Sequence, residues 1–222
     1  MVSSSRKTLL LIGAGLVLAM ATLGTALVRS ELQYANQSLP VVGRIPDFHL
    51  TNQNDRVISL ADLRGKVWVA DIIFTRCPGP CRTMTARMEE LQNDVGAGEP
   101  VRFVTLTSDP ENDTPAAMRK FAGQFQADSA RWWFLTGERK ELRDLAVNDF
   151  KFTVVEKPPG DRTVPDDLFI HSTWFALIDR EGKVRGWVDG GGSQHAIFES
   201  DDAAAMARLR AAIRQLLREP IS

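Results

Sequence analysis

The chain has 222 residues, a formal net charge of −1 and 44% apolar residues, the make-up of an ordinary globular protein. A charge so near zero, with no lysine/arginine stripe interleaved with aromatics, excludes a nucleic-acid binder. The two cysteines, with three residues between them, are too few for a disulfide scaffold, and a domain of this size needs none. A close pair of this kind points instead to redox chemistry or a metal.

At the N-terminus, residues 8–28 form an uncharged run of 21 residues behind Arg6 and Lys7. About 20 apolar residues span a bilayer as a helix, and positive charges ahead of the span hold its N-terminus in the cytoplasm. The sequence therefore predicts an N-terminal transmembrane anchor within residues 1–29. A cleaved signal peptide is the alternative, with Ala19-Met20-Ala21 as its small-residue cleavage site; the continuation of the run to Val28 favours the anchor. Both readings export residues 30–222, membrane-anchored in one case and soluble in the other, into a compartment where thiols oxidise unless something keeps them reduced. Residues 30–41 are polar and irregular and read as a linker, and residues 42–222 as one domain.

Ile45-Pro46-Asp47-Phe48 opens that domain, and residues 58–63 predict a short strand running into a turn at Arg64-Gly65. Residues 66–74 are nearly continuously apolar, which suits a strand buried on both faces, and residues 75–80 break it. After Cys81 the period changes: Met84, Met88, Leu91 and Val95 follow helical steps. Residues 101–106 form a second buried strand. A helix follows from Thr114, capped by Asp113 or Thr114, with Pro115 in its first turn and Met118, Phe121 and Phe125 facing inward. Residues 142–150 predict a short helix. Residues 173–178 and 184–188 are two strands joined by the hairpin turn Asp179-Arg180-Glu181-Gly182. A last helix over 201–218 has an acidic start and carries Arg214 and Arg218 in its final turn, as the helix dipole prefers. This order of elements is that of a thioredoxin-like α/β fold, a mixed central sheet flanked by helices.

The two thiols stand where a buried strand ends and a helix begins. The partial positive charge at a helix N-terminus favours thiolate, which is both the nucleophile of disulfide exchange and the form that binds metal. On a regular helix, residues four apart have Cβ atoms about 5–6 Å apart, whereas a disulfide needs about 3.8 Å. Pro78 and Pro80 oppose regular helix ahead of Cys81 and Gly79 allows a tight fold, so the loop suits either a disulfide or a grip on a metal ion. Soft thiolates select Cu(I), with zinc as the alternative. Two thiolates leave a site incomplete. Among His49, His171 and His195, His171 is the candidate third donor, because it precedes the strand at 173–178 on the end of the sheet that faces the cysteine loop in this fold.

Four segments are similar to successive motifs of the Sco/SenC proteins: Phe74-Thr75-Arg76-Cys77-Pro78-Gly79-Pro80-Cys81, Ser108-Asp109-Pro110-Glu111-Asn112-Asp113-Thr114-Pro115, Trp133-Phe134-Leu135-Thr136-Gly137 and His171-Ser172-Thr173. The resemblance extends over residues 42–217. It implies a thioredoxin-like fold with copper, as Cu(I) or Cu(II), held by Cys77, Cys81 and His171. It also implies a metallochaperone that delivers copper to the dinuclear copper site of cytochrome c oxidase subunit II or prepares that site's cysteines. Another exported cuproprotein is the alternative partner, and the membrane is reached through the N-terminal helix. The chain departs from the family pattern at Gly79, where an acidic or polar residue is usual, at Arg82 in place of a proline, and at Ile170 in place of a frequent aspartate. Arg82 is expected to add positive charge beside the thiols, and Ile170 removes a carboxylate that could orient the histidine.

Other features read as structure. Met84 and Met88 have core spacing and are expected to pack rather than ligate. Asp109 and Asp113 fit a turn and a helix cap, Trp132-Trp133 a buried strand, and Gly190-Gly191-Gly192, which lacks a following lysine, a turn before the last helix. A thiol-disulfide oxidoreductase acting through the Cys77/Cys81 redox pair is the competing function. A peroxiredoxin-type peroxidase is weaker, since it would not use His171.

Overall fold

The computed structural model describes residues 39–162 and 169–220, together with Ile12, Leu18, residues 20–22 and Thr25. The uncharged run at 8–28 thus lies largely outside the described residues; its described positions are helical. Among the described residues, no helix is long and apolar enough to cross a membrane.

The domain opens with three short strands, β1 (Val41–Arg44), β2 (His49–Asn52) and β3 (Val57–Ser59), and a single helical turn, α1 (Leu60–Leu63). Then come β4 (Val67–Ile73), α2 (Cys81–Val95), β5 (Val101–Thr107), α3 (Pro115–Ala122), β6 (Trp132–Thr136) and α4 (Arg139–Asp144). The rest consists of β7 (Val154–Glu156), β8 (Phe169–His171), β9 (Trp174–Ile178), β10 (Lys183–Arg185), β11 (Trp187–Val188), β12 (Gln194–His195), β13 (Phe198–Glu199) and α5 (Ala203–Arg218).

The main sheet runs β1-β10-β9-β4-β5-β6-β2-β3, with β13 also paired to β9. The β4–β5 and β5–β6 pairs are parallel and the others antiparallel. This is the mixed sheet the sequence predicts. All seven residues of β4 are buried, as expected of a central strand covered on both sides. Side chains alternate along a strand, so Val67, Val69 and Ile73 join the core formed with α2, α3 and α5, while Trp68, Ala70 and Ile72 join the opposite core with Leu142 and Leu145.

Several elements depart from the sequence reading. Leu39 is buried and β1 begins at Val41, so the fold takes in the end of the stretch assigned to the linker. The helix after Thr114 stops at Ala122, and Phe125 reaches the core from a 3₁₀ turn, Gly123–Phe125. The strand expected over 184–188 is broken at Gly186: a Cβ there would lie 2.3 Å from the His195 carbonyl oxygen. The chain leaves the main sheet at that point, and β11 pairs instead with β12. The triple-glycine turn between them is held by Asp189, whose Oδ1 accepts the Gly191 and Ser193 N–H groups at 2.9 Å each.

Candidate metal centre

The chain turns as soon as β4 ends. The Cys77 N–H donates to the Phe74 carbonyl (3.1 Å), and the Met84 N–H donates to the Pro80 carbonyl (2.9 Å). Helix α2 starts at Cys81, and the Thr85 hydroxyl donates back to the Cys81 carbonyl (2.8 Å). Pro80 suits the cap, because the N–H it lacks would have had no partner inside the helix. Cys81 is thereby fixed in the first turn and fully buried, whereas Cys77 lies on the loop and is half-buried. Both residues are thiols, and their side chains are in hydrogen-bond contact. The Gly79 N–H also points at the Cys77 Sγ (3.4 Å). A Cβ at Gly79 would meet only that sulfur, at 4.0 Å, so the loop conformation does not demand glycine at this position.

The helix end alone would favour thiolate at both positions. For Cys81 the structure corrects that expectation. Burial pushes its thiol far above the ordinary range, and the Cys77 sulfur and the Asp71 carboxylate push the same way, while a bond from the Phe74 backbone acts to lower it. Asp71 is fully buried in β4, on the α2 side by alternation with Val69 and Ile73. Placing a metal ion on this pair, or closing it into a disulfide, therefore requires Cys81 to give up a tightly held proton.

A second set of polar residues backs the loop. Thr114 alone caps α3, accepting the Ala117 N–H at 3.3 Å. Asp113, expected as a cap, turns the other way. Its carboxylate accepts the Thr75 N–H (3.0 Å), the Thr75 hydroxyl (2.5 Å) and the Thr107 hydroxyl (2.5 Å). Asp109 accepts a bond from Arg76 (3.0 Å) and from the Asn112 amide (3.0 and 3.1 Å). Arg82 does not crowd the sulfurs with charge. Its guanidinium donates to Gln124 (2.7 Å) and lies over the Phe125 ring (5.3 Å).

His171 ends β8 and lies opposite Val154 of β7. Two positions earlier on the strand, the Phe169 ring meets Phe74 edge-on at 5.3 Å, and both Phe169 and Cys77 pack against the same core. Strand β8 therefore runs beside the cysteine loop. The other histidines are engaged elsewhere. His49 is exposed on β2, and His195 stacks on Trp187 (4.2 Å) and faces Asp189 (3.0 Å). Among the described residues no group of three or more His, Cys, Asp or Glu forms a metal cluster. Met84 and Met88 are buried in the core that contains Cys81, as their spacing predicts.

Sequence reasoning missed Asp71, Thr75 and Thr107 and misassigned Asp113. An acidic residue inside an otherwise apolar strand was the available signal for Asp71. No local pattern links Thr75 to Asp113, which lies 38 positions away.

A mixed sheet flanked by helices, with two thiols of unequal exposure at a strand-to-helix junction, defines a thioredoxin-like dithiol domain. Residues 41–205 match the SCO1/SenC family, and the chain belongs to it. The SCO1 protein homolog of Bacillus subtilis (strain 168) is 38% identical over 147 residues, covering 65% of this chain and 73% of that protein. A protein of Stutzerimonas stutzeri, named for copper binding, is 29% identical over 179 residues, covering 78% and 84%. The fold is similar to that of BsSco, described as a member of the Sco family of cytochrome c oxidase assembly proteins with a disulfide switch. The identity is 33% and the TM-score 0.58, over 79% of this chain and 98% of that one.

Proposed function

We propose that the domain carries one copper ion between Cys77, Cys81 and His171 and delivers it to the dinuclear copper site of cytochrome c oxidase subunit II. The observation that carries this reading is the contact between a half-buried and a buried thiol at the start of α2. Two soft sulfur donors and an imidazole suit Cu(I), and the contact of Phe169 with Phe74 supports the reading, since His171 ends the same strand two residues on. The names of the Stutzerimonas relative and of the family of BsSco agree with copper and with oxidase assembly. Cys77 is the accessible sulfur through which copper arrives and leaves, and Cys81 is the donor that surrenders its proton on loading. Copper titration of the reduced protein with and without His171 tests the assignment.

The run at 8–28 is the segment that places this domain on the extracytoplasmic face, as a transmembrane anchor. The uncharged length of 21 residues behind Arg6 and Lys7 supports that reading.

Thiol-disulfide exchange is the second reading, and the asymmetry of the pair favours it. An accessible Cys77 can attack a partner disulfide, and a buried Cys81 in contact with it can resolve the mixed disulfide. The two activities use the same sulfurs; His171 separates them, since exchange does not need an imidazole.

A further inference from the structure

Two consecutive residues ahead of Cys77 are tied to a single distant turn. Thr75 bonds Asp113, 38 positions away, and Arg76 bonds Asp109, 33 positions away. The tie begins one step earlier, where the Ser108 N–H donates to the Ile73 carbonyl (2.9 Å). Within the turn, the Asp109 N–H donates to Thr107 Oγ1 (2.9 Å), and the Asn112 and Asp113 N–H groups donate to the Asp109 carbonyl (3.1 and 2.9 Å). Asp109 and Asp113 are both buried, at 2% and 0% exposure, so both carboxylates are held by the fold; the Thr75 and Thr107 bonds to Asp113 lie away from solvent, while Arg76 reaches Asp109 from an exposed position as a charge-assisted bond. The other end of the loop is fastened by the first turn of α2. Only Pro78-Gly79-Pro80 spans the gap between the two anchors.

We propose that Asp113, acting through Thr75, and Asp109, acting through Arg76, are positioning residues that latch Cys77 against Cys81 and so set the copper affinity and the redox equilibrium of the pair. Neither carboxylate touches copper in this scheme. They remove the backbone freedom that Cys77 would otherwise lose each time the sulfurs converge on a metal ion or on each other. Ordering one residue's backbone is worth about a tenfold change in an equilibrium constant. The inference rests on the reading of Cys77 and Cys81 as a working pair.

The test compares the full chain as wild type, Thr75→Val and Thr75→Ser. Thr75 is only half-buried, so its substitution spares the fold where removal of a buried aspartate would not. Each protein is equilibrated with glutathione. The two protein thiols lose two electrons and two protons to form the Cys77–Cys81 disulfide, and one oxidised glutathione takes them up to become two reduced molecules. Cu(I) affinity is read in parallel by competition with a chromogenic chelator, and stability by urea unfolding. Thr75→Val, which loses the hydroxyl donor, should shift the equilibrium about tenfold toward the dithiol, about 30 mV for this two-electron couple, and weaken Cu(I) binding by a similar factor. Thr75→Ser, which keeps the donor, should stay near wild type in both. If Thr75→Val lost stability but kept the wild-type equilibrium and affinity, Thr75 would be structural only and the latch would be refuted. Equal shifts in Val and Ser would also refute it, since the hydroxyl bond would not be the agent. A wild type that neither closed a disulfide nor took copper would instead sink the functional reading of the pair, and the latch with it.

Discussion

Cys81 carries a pH dependence that can be worked out from its burial. In the unfolded chain a thiol titrates near pH 8.5. In the fold, burial holds the Cys81 proton to far higher pH. Above about pH 8.5 the unfolded state therefore releases a proton that the native state keeps, and stability falls as pH rises, by about 1.4 kcal/mol per pH unit for this group. Between pH 8.5 and 10.5, with the slope building up through the unfolded pKa, the loss comes to about 2.3 kcal/mol, a substantial part of the 5–15 kcal/mol that holds a typical domain together. Other groups titrate in the same range, so the assay is differential: urea unfolding of the reduced chain and of Cys81→Ser, from pH 8 to 10.5. The serine variant starts less stable, having lost a buried sulfur, but lacks the ionising thiol. The gap between the two should shrink by about 1.4 kcal/mol per unit. Parallel curves would mean that folding leaves the Cys81 proton as loosely held as in the unfolded chain, and a gap that widened with pH would mean that the helix end outweighs burial; either result contradicts a proton held by burial. The same held proton makes copper loading more favourable with pH, by at least about tenfold per unit, because the metal must displace it.

Two further outcomes follow from the packing and from the N-terminal run. Met88 is fully buried among apolar neighbours, so Met88→Leu, which roughly conserves volume, should cost less than about 1.5 kcal/mol in urea unfolding; copper affinity should be unchanged, and a tenfold loss at normal stability would make Met88 a ligand. Cell fractionation with N-terminal sequencing should find the mature chain in the membrane with its first residues intact, and a soluble product beginning near Thr22 would replace the anchor with a cleaved signal peptide.

The parts of the fold legible in the sequence are those written in local pattern. β4 and α2 could be read because a continuous apolar run gives way to helical spacing at Cys81, and the two cysteines drew notice because they sit at that change. The short strands β1 and β2, four residues each, carry too little pattern to be seen, and the break at Gly186 depends on the approach of the His195 backbone, which only the folded chain supplies. The inequality of the thiols has the same origin: Cys81 is buried because α2 packs on the sheet. The Asp113–Thr75 bond joins segments that meet only when β4 and β5 lie side by side in parallel. A sequence reader sees an aspartate before a Thr-Pro helix start and assigns a cap, since nothing nearby records that its carboxylate faces the cysteine loop.

The central claim, that Cys77, Cys81 and His171 together hold a copper ion, is tested most directly by titrating the fully reduced chain with Cu(I) against a competing chelator. Wild type should take one equivalent. Cys77→Ser and Cys81→Ser should lose that binding, and His171→Ala should weaken it markedly while still closing the Cys77–Cys81 disulfide at the wild-type equilibrium. A His171→Ala protein that bound one equivalent with wild-type affinity would contradict the claim and leave thiol-disulfide exchange as the activity of the pair.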